Sequence, residues 1–230
     1  MAAVAHRKST NAKNDSYFLR EVVAKNTTSW YISTLEQHNI HPTRREDPCA
    51  GLGAMATYFT QIDQFDLDPR GAPSIKTRDF LTHTQPYEPG LCYVMNVPYG
   101  QNSSCAIEFF NIAAEFGDTI CIIVPVSWSG KYAARIINQL DRNFVLIGEQ
   151  KLPHNSFYLP DNNNKIHNVP SVAQIWGRSS TLRPLMPTQI TSSAFTVVGN
   201  KSSRITPDFA IRRIGRNTGE IVTNGFDDLK

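Results

Sequence analysis

An asparagine and an aromatic ring, separated by two residues, follow directly after an apolar run near the middle of the chain. The run spans 91–95, and the next four residues are Asn96, Val97, Pro98 and Tyr99. An amide offers donors and an acceptor, and a ring offers a flat face, so this tetrapeptide could hold a planar base. A strand that ends in a turn is the alternative interpretation, because Asn, Pro and Gly are common turn residues.

A loop with two glycines precedes this tetrapeptide in the chain. Asp47 and Pro48 are followed by Gly51 and Gly53, and then by residues 54–59, for which we predict a short helix. Glycines allow a ligand to approach the backbone closely, and the start of a helix offers free N–H groups. The pattern of an acid, a proline and two glycines before a helix therefore indicates a ligand-binding loop.

Acidic residues end two further predicted strands, at 61–69 and 75–81. Asp66 lies at a position where a carboxylate can accept hydrogen bonds from ribose hydroxyls in a nucleotide-binding fold. We interpret its neighbour Asp68 as part of a solvated acidic turn. Asp79 is followed by Phe80, so an acceptor and a ring are adjacent there.

Strands and helices alternate along most of the chain, which predicts a doubly wound α/β sheet. The strongest strand is the apolar run 119–125, as expected for a parallel strand buried on both faces. Residues 44–47 are too polar for us to predict a strand there. The other predicted strands are 91–95, 144–147 and 172–176, the predicted helices are 30–38, 104–116 and 131–140, and 151–169 is an irregular excursion with its tip at 161–164.

The ends of the chain differ from its middle. Residues 1–13 are predicted to be a flexible tail, 14–178 the main domain, and 179–230 a small β-rich extension with strands at 196–198 and 209–211. This extension holds the densest basic cluster, which is formed by Lys201, Arg204, Arg212, Arg213 and Arg216. The cluster could contact nucleic-acid phosphates, and a solvated surface is an equally good interpretation from charge alone.

The composition limits the classes of protein to which this chain can belong. The chain has 230 residues, a formal net charge of +3 and 40% hydrophobic residues, which suffices for a sizeable core. Its four cysteines show no zinc-site spacing, so we expect no metal and a reducing, cytoplasmic location. No apolar run is long enough to span a membrane, and the N-terminus does not look like a signal peptide.

The order of the candidate sites resembles that of a known family. Residues 46–53, then Asp66, then Asp79 with Phe80, and finally 96–99 follow the order seen in S-adenosylmethionine-dependent methyltransferases that act on adenine N6. The resemblance is to the Asn-Pro-Pro-Tyr/Phe type of bacteria and phages and covers residues 14–178. Residues 14–18, 123–125, 152–157 and 170–176 are also similar to segments of such enzymes.

The resemblance implies a Rossmann-like, mostly parallel seven-stranded sheet and S-adenosylmethionine as the cofactor. The implied substrate is adenine in nucleic acid, with DNA favoured over RNA, and a partner subunit is one route to target recognition. The implied catalytic residues are Asn96, Val97, Pro98 and Tyr99. The implied cofactor-binding residues are Tyr17, Asp47, Pro48, Gly51, Gly53, Asp66, Asp79, Phe80 and Asn96.

One residue departs from the family pattern. Val97 stands where the family has the first proline of the tetrapeptide. The backbone carbonyl is kept, but the ring that fixes φ near −65° is lost, which predicts a looser loop. A catalytically degenerate binding or scaffold protein with the same fold is therefore the alternative to an active enzyme.

Overall fold

The computed structural model describes residues 17–70, 73–130, 133–188, 208–211 and 221–223. The chain divides into two compact units, 1–188 and 189–230, and each is described by itself. The first unit extends to residue 188 and so includes the segment after residue 178. The side chain of Arg183 ties the additional segment to this unit, because it donates hydrogen bonds to the carbonyl groups of Ile137, Leu140 and Phe144.

A seven-stranded sheet forms the centre of the first unit. Its strands are β2 Arg44–Asp47, β3 Asp63–Asp66, β4 Lys76–Thr77, β5 Leu91–Asn96, β6 Thr119–Pro125, β7 Phe144–Lys151 and β10 Ser171–Arg178. Their spatial order is β4-β3-β2-β5-β6-β10-β7. The five strands β4, β3, β2, β5 and β6 are parallel to one another. Strand β10 runs antiparallel to both its neighbours, β6 and β7. The predicted doubly wound, mostly parallel sheet is confirmed, and its strand order reverses between β2 and β5.

Helices cover both faces of this sheet. They are α1 Glu21–Gln37, α2 Ser104–Phe116 and α3 Ala134–Ile137. On β5, Leu91, Tyr93 and Met95 belong to the core on the α2 side, whereas Cys92 and Val94 belong to the core on the α1 side. Because alternate residues of a strand point to opposite faces, a strand buried on both sides must be apolar throughout, as the run 91–95 is.

Three helix predictions need correction. The first helix begins at Glu21, well before residue 30, because Thr27 and Thr28 lie inside it and are buried rather than capping it. Residues 54–59 form turns around a single 3₁₀ turn at Ala56–Tyr58, and the Thr57 hydroxyl bonds the Gly53 carbonyl. The helix predicted at 131–140 is shorter among the described residues, where only Ala134–Ile137 is α-helical.

Residues 44–47 form the strand β2, although their polar composition did not predict a strand. Charges on neighbouring elements explain this difference. Arg44 forms ion pairs with Glu46 at 3.0 Å, Asp63 at 2.9 Å and Glu88 at 2.8 Å. Arg78 also pairs with Glu46, whose side chain is 0% exposed. A buried carboxylate is tolerated only when it is paired and hydrogen-bonded, and two arginines provide this here.

A second, smaller sheet lies in the first unit. It consists of β1 Phe18–Leu19, β8 Phe157–Leu159 and β9 Lys165–His167, in the order β1-β8-β9. The excursion predicted at 151–169 is therefore largely a hairpin, with residues 162–164 exposed at its tip as expected. The hairpin pairs with a strand from the beginning of the described chain, a long-range contact that local sequence does not indicate.

The second unit is described only at residues 208–211 and 221–223. There, β11 Ala210–Ile211 pairs antiparallel with β12 Ile221–Val222. The strand predicted at 209–211 is thus confirmed in part, and the one predicted at 196–198 lies outside the described residues. Within the described part of the chain, no helix combines the length and apolar character needed to cross a membrane.

Candidate functional site

Three adjacent strands deliver the candidate residues to one edge of the large sheet. β2 ends at Asp47, β3 at Asp66 and β5 at Asn96. These strands are parallel neighbours in the order β3-β2-β5, so their carboxyl ends lie side by side. The edge also lies where the strand order reverses, which is the usual ligand-binding position in open α/β sheets.

The loop after β2 is held to the end of β3 by backbone groups. The N–H of Gly51 donates to Oδ2 of Asp66 at 2.7 Å, and the N–H of Ala50 donates to the carbonyl of Phe65 at 2.9 Å. Gly51 has φ +56°, a conformation that disfavours other residues. A Cβ at this position would lie 2.8 Å from the Phe18 ring. The glycine therefore permits both the turn and the close approach of β1.

Asp66 keeps acceptor capacity although two backbone groups already bond it. Its Oδ1 accepts the N–H of Asp68 at 2.8 Å, and its Oδ2 accepts Gly51. An ionised carboxylate has about four acceptor positions, so each oxygen has a further position for a ligand hydroxyl. Asp68 is itself exposed and pairs with Arg70 at 3.2 Å, in agreement with its interpretation as a solvated turn residue.

Asp47 is a buried acid at the start of the loop. Asp47 is 2% exposed, and its Oδ1 accepts a hydrogen bond from the N–H of Cys49 at 3.2 Å. Burial raises the pKa of Asp47 to about 8; the Cys49 N–H opposes this shift, and the charges of Asp66 and Glu46 add to it. An acid with this pKa can respond to a positively charged ligand by losing its proton.

Asp79 and Phe80 follow β4, and they differ in exposure. Asp79 is partly exposed and accepts the N–H of Leu81 at 3.0 Å. The Phe80 ring is 2% exposed and packs against Tyr93 and Phe109, with ring centroids 5.4 and 5.3 Å apart. Phe80 therefore belongs to the core beneath the edge, and Asp79 is the more accessible of the two.

Asn96 contacts the segment that precedes α1. Its Nδ2 donates to the backbone carbonyl of Tyr17 at 3.0 Å. Burial first, and then the nearby charges of Asp47 and Asp66, raises the pKa of Cys49 and keeps it a thiol. Asn96 thus joins the end of β5 to the segment that precedes α1.

The residues after Asn96 are anchored by packing. Val97 is 4% exposed and belongs to the core cluster on the α2 side. The loop that we expected to be looser is therefore held by a buried side chain. The Tyr99 hydroxyl lies 2.9 Å from Ser171 Oγ, which bonds the Val169 carbonyl at 3.0 Å. Burial raises the pKa of the Tyr99 hydroxyl well above its usual range, so Tyr99 stays neutral.

Sequence reasoning missed three residues near the site. Ser171 orients Tyr99, the N–H of Cys49 bonds Asp47, and the His167 ring packs on Tyr17 with centroids 5.8 Å apart. A pattern search cannot find them, because Ser171 and His167 reach the site through the sheet pairing. The five basic residues predicted to contact phosphates, Lys201, Arg204, Arg212, Arg213 and Arg216, lie outside the described residues.

Comparison with known proteins gives a fold relationship. No protein-family model matches the chain, and no curated protein matches it significantly. A solved structure from Pyrococcus horikoshii, provisionally named an RNA methyltransferase, superposes with a TM-score of 0.52 at 14% identity. The match covers 75% of this chain and 91% of that one.

Two further solved structures are similar at lower TM-scores. One is magnesium protoporphyrin IX methyltransferase from Synechocystis with bound SAM, at a TM-score of 0.46, 11% identity, and 78% and 86% coverage of this chain and that one. The other is the 23S rRNA methyltransferase ErmE, at a TM-score of 0.44, 18% identity, and 74% and 72% coverage. The strand order and the superposition on the Pyrococcus protein together show that this chain has the Rossmann-like methyltransferase fold.

Proposed function

We propose that this protein is an S-adenosylmethionine-dependent methyltransferase that acts on the exocyclic amino group of adenine in nucleic acid, with DNA favoured over RNA. One observation carries the proposal. The amide of Asn96 lies at the end of β5, and its Nδ2 donates to the Tyr17 carbonyl. Its Oδ1 is therefore the atom left to accept a hydrogen bond from an amino group beside the cofactor loop.

The residues of the loop fit the proposed cofactor. Gly51 and Gly53 both have positive φ, the conformation that this loop requires and that other residues disfavour. The remaining acceptor positions of Asp66 suit ribose hydroxyls, and the accessible carboxylate of Asp79 suits the amino group of an adenine. Asp47 is an acid that a cationic methionine end would hold in its ionised form. Tyr17 and Pro48 would border the same ligand.

The chemistry that the protein must supply is mainly positioning. S-adenosylmethionine, when bound, supplies a methyl group on a positively charged sulfur. An adenine amino nitrogen is a poor nucleophile, because its lone pair is delocalised into the ring. Asn96 Oδ1 and the Val97 carbonyl would accept its two hydrogens and hold the nitrogen in line with the methyl group. The Tyr99 ring would stack on the base, which in a duplex must first be flipped out.

The burial of Val97 supports turnover over the degenerate alternative. The family's proline would restrict the backbone at this position through its ring, whereas Val97 is held by the core on the α2 side. A valine keeps the carbonyl that the mechanism requires. The substitution therefore changes how the loop is held and leaves both acceptors in place.

The proposed polymer substrate is DNA, and RNA is the rival. The resemblance of residues 123–125, 152–157 and 170–176 to DNA-modifying enzymes favours DNA, and the provisional name of the Pyrococcus protein makes RNA the rival. The basic cluster at 201–216 is proposed to contact phosphates, which predicts salt-sensitive binding. A partner subunit for target recognition stays a prediction.

The test is transfer of a labelled methyl group to a polymer. The protein is incubated with labelled S-adenosylmethionine and with adenine-containing DNA, RNA, or matched oligonucleotides that lack adenine. The expected result is label on adenine N6 in the adenine-containing DNA, lost in Asn96→Ala and kept in the exposed-site variant Asn26→Ala. Measurable cofactor binding without transfer to either polymer would contradict the enzyme and support a binding or scaffold protein of the same fold.

A further inference from the structure

At position 96 an asparagine amide and an aspartate carboxylate would have nearly the same shape. They differ in the hydrogen bonds that they can form. An ionised carboxylate only accepts, whereas an amide donates from Nδ2 and accepts at Oδ1. In this protein the Nδ2 atom of Asn96 lies 3.0 Å from the Tyr17 carbonyl oxygen, itself an acceptor. The two ends of the amide therefore have different environments.

We propose that the Tyr17 carbonyl is the positioning group for Asn96, so that position 96 works only with a group that donates on one side and accepts on the other. This inference rests on the proposed function, because it assumes that Oδ1, for which no hydrogen bond is seen among the described residues, contacts the amino group of the substrate. The bond to Tyr17 fixes the rotation of the amide and aims Oδ1 at the substrate. Tyr17 acts through Asn96 and is a positioning residue.

The small sheet holds the Tyr17 carbonyl in place. Phe18 and Leu19 pair with Tyr158 and Phe157 of β8. The N–H of Arg20 donates to the carbonyl of Ser156 at 3.0 Å. These contacts give the excursion at 151–169 a role in the site, since it anchors the strand that orients Asn96.

The Tyr17 side chain adds a second anchor to the same position. Its ring packs against Phe157 and His167, with centroids 6.2 and 5.8 Å apart. Phe157 is fully buried, so this contact joins Tyr17 to the core on the α1 side. Backbone pairing and ring packing thus restrain the carbonyl from two directions.

The variant Asn96→Asp tests this requirement. Its ionised carboxylate would face the Tyr17 carbonyl oxygen, acceptor against acceptor. Once protonated, the carboxyl group would donate to Tyr17 through its O–H and accept through its other oxygen, as the amide does. The kcat of Asn96→Asp should therefore fall well below the wild-type value at pH 8 and recover by roughly tenfold per pH unit toward acidic pH, as a single protonation requires.

Two controls make the comparison specific. Asn26→Asp places the same charge on an exposed position of α1 and should keep the wild-type pH profile. The introduced carboxyl at position 96 is also titrated directly by NMR with a ¹³C label, without substrate. Its pKa should lie above the ordinary value for aspartate, since the neighbouring carbonyl disfavours the ionised form.

The outcomes separate the inference from the proposed function. If Asn96→Asp is as active as the wild type at pH 8, or its carboxyl titrates at or below the ordinary value, the inference is wrong while methyl transfer stands. If the wild type transfers no methyl group and the carboxyl pKa is raised, Tyr17 still orients Asn96 and the proposed activity is wrong.

A second pair of variants covers the case in which Asn96→Asp does not fold. Arg20→Pro removes the N–H that bonds Ser156, and φ of −65° at this position suits proline. Arg20→Ala keeps that N–H and serves as the matched control. The kcat of Arg20→Pro should be at least about tenfold below that of Arg20→Ala, a factor that equals about 1.4 kcal/mol. Equal values would overturn the role of the small sheet.

Discussion

The backbone N–H of Gly51 donates a 2.7 Å hydrogen bond to the carboxylate of Asp66, across the two adjacent strand ends. The bond joins the glycine loop to the acid proposed to hold the ribose. One side chain thus shapes the loop and presents acceptor positions to a ligand.

We predict that Asp66→Asn weakens cofactor binding by roughly tenfold or more, because the amide loses acceptor positions and places a donor near the Gly51 N–H. One charged hydrogen bond contributes about 1.5–3 kcal/mol, which agrees with this factor. Isothermal titration with S-adenosylhomocysteine measures it. Asp68→Asn is the matched control on the same turn and should bind normally; equal affinity of the two variants would contradict a ribose role for Asp66.

We predict that Gly51→Ala destabilises the protein more than Gly130→Ala does. Both glycines have positive φ, +56° and +72°, so both variants carry the conformational cost of about 1–2 kcal/mol. At Gly51 the new Cβ would meet the Phe18 ring at 2.8 Å, whereas at Gly130 no atom of the described residues lies within 4 Å of it. Overpacking of this kind costs about 1–3 kcal/mol.

Urea unfolding of these two variants and the wild type measures the difference. Adding Phe18→Leu to each variant should reduce the difference in the free energy of unfolding between the Gly51→Ala and Gly130→Ala proteins. An equal loss of stability in both single variants would mean that β1 moves away without cost, which would contradict a fixed position of β1 over the loop.

We predict that Asp47 makes stability depend on pH. Its folded pKa of about 8 lies above its ordinary value of 3.8, so the native protein retains a proton that the unfolded chain releases between these values. The contribution of Asp47 is therefore fully present below about pH 4 and is lost as the pH rises to about 8, with a slope of at most about 1.4 kcal/mol per pH unit.

Denaturant unfolding from pH 5 to 9 measures this effect, and Asp47→Asn should flatten the curve while retaining the acceptor for the Cys49 N–H. Asp63→Asn, at the start of β3, controls for the general effect of removing a carboxylate near the same sheet. Stability curves of the wild type and Asp47→Asn that stay parallel across this range would contradict a raised pKa for Asp47.

We predict that the ring of Tyr99 matters more than its hydroxyl for substrate binding. Tyr99→Phe keeps the stacking face, whereas Tyr99→Ala removes it at a cost of about 1–3 kcal/mol per stacked base. The KM for an adenine-containing oligonucleotide should rise roughly tenfold or more in Tyr99→Ala and change little in Tyr99→Phe. A similar rise in both variants would show that binding depends on the hydroxyl and its bond to Ser171, and would contradict the prediction that the ring matters more.

The apolar parts of the fold are predictable from the sequence because their pattern is local. The runs that became β5 and β6, and the buried face of α2, are set by residues close together in the chain. The polar strand β2 is not predictable in this way, since Arg44 and Glu46 find their partners on Asp63, Arg78 and Glu88 only after folding.

The candidate site divides in the same manner. Asp66 and Asn96 lie at strand ends and Gly51 lies in a loop after a strand, which a sequence pattern can indicate, and their order along the chain predicts a shared edge. The contacts that orient them come from distant residues. Tyr17 bonds Asn96, Phe18 packs on Gly51, and Ser171 bonds Tyr99, and none of these pairings is visible before the strands are assembled.

The position of β1 also has a consequence for the order of folding. Tyr17 and Asn96 are 79 residues apart in the chain, and Arg20 bonds Asn155, 135 residues away. Contacts of such long range form late, since loop closure is costly. During synthesis the segment at 17–20 is made before the hairpin at 157–167 with which it pairs. We therefore expect the hydrogen bond between Asn96 and Tyr17 to form only near the end of folding.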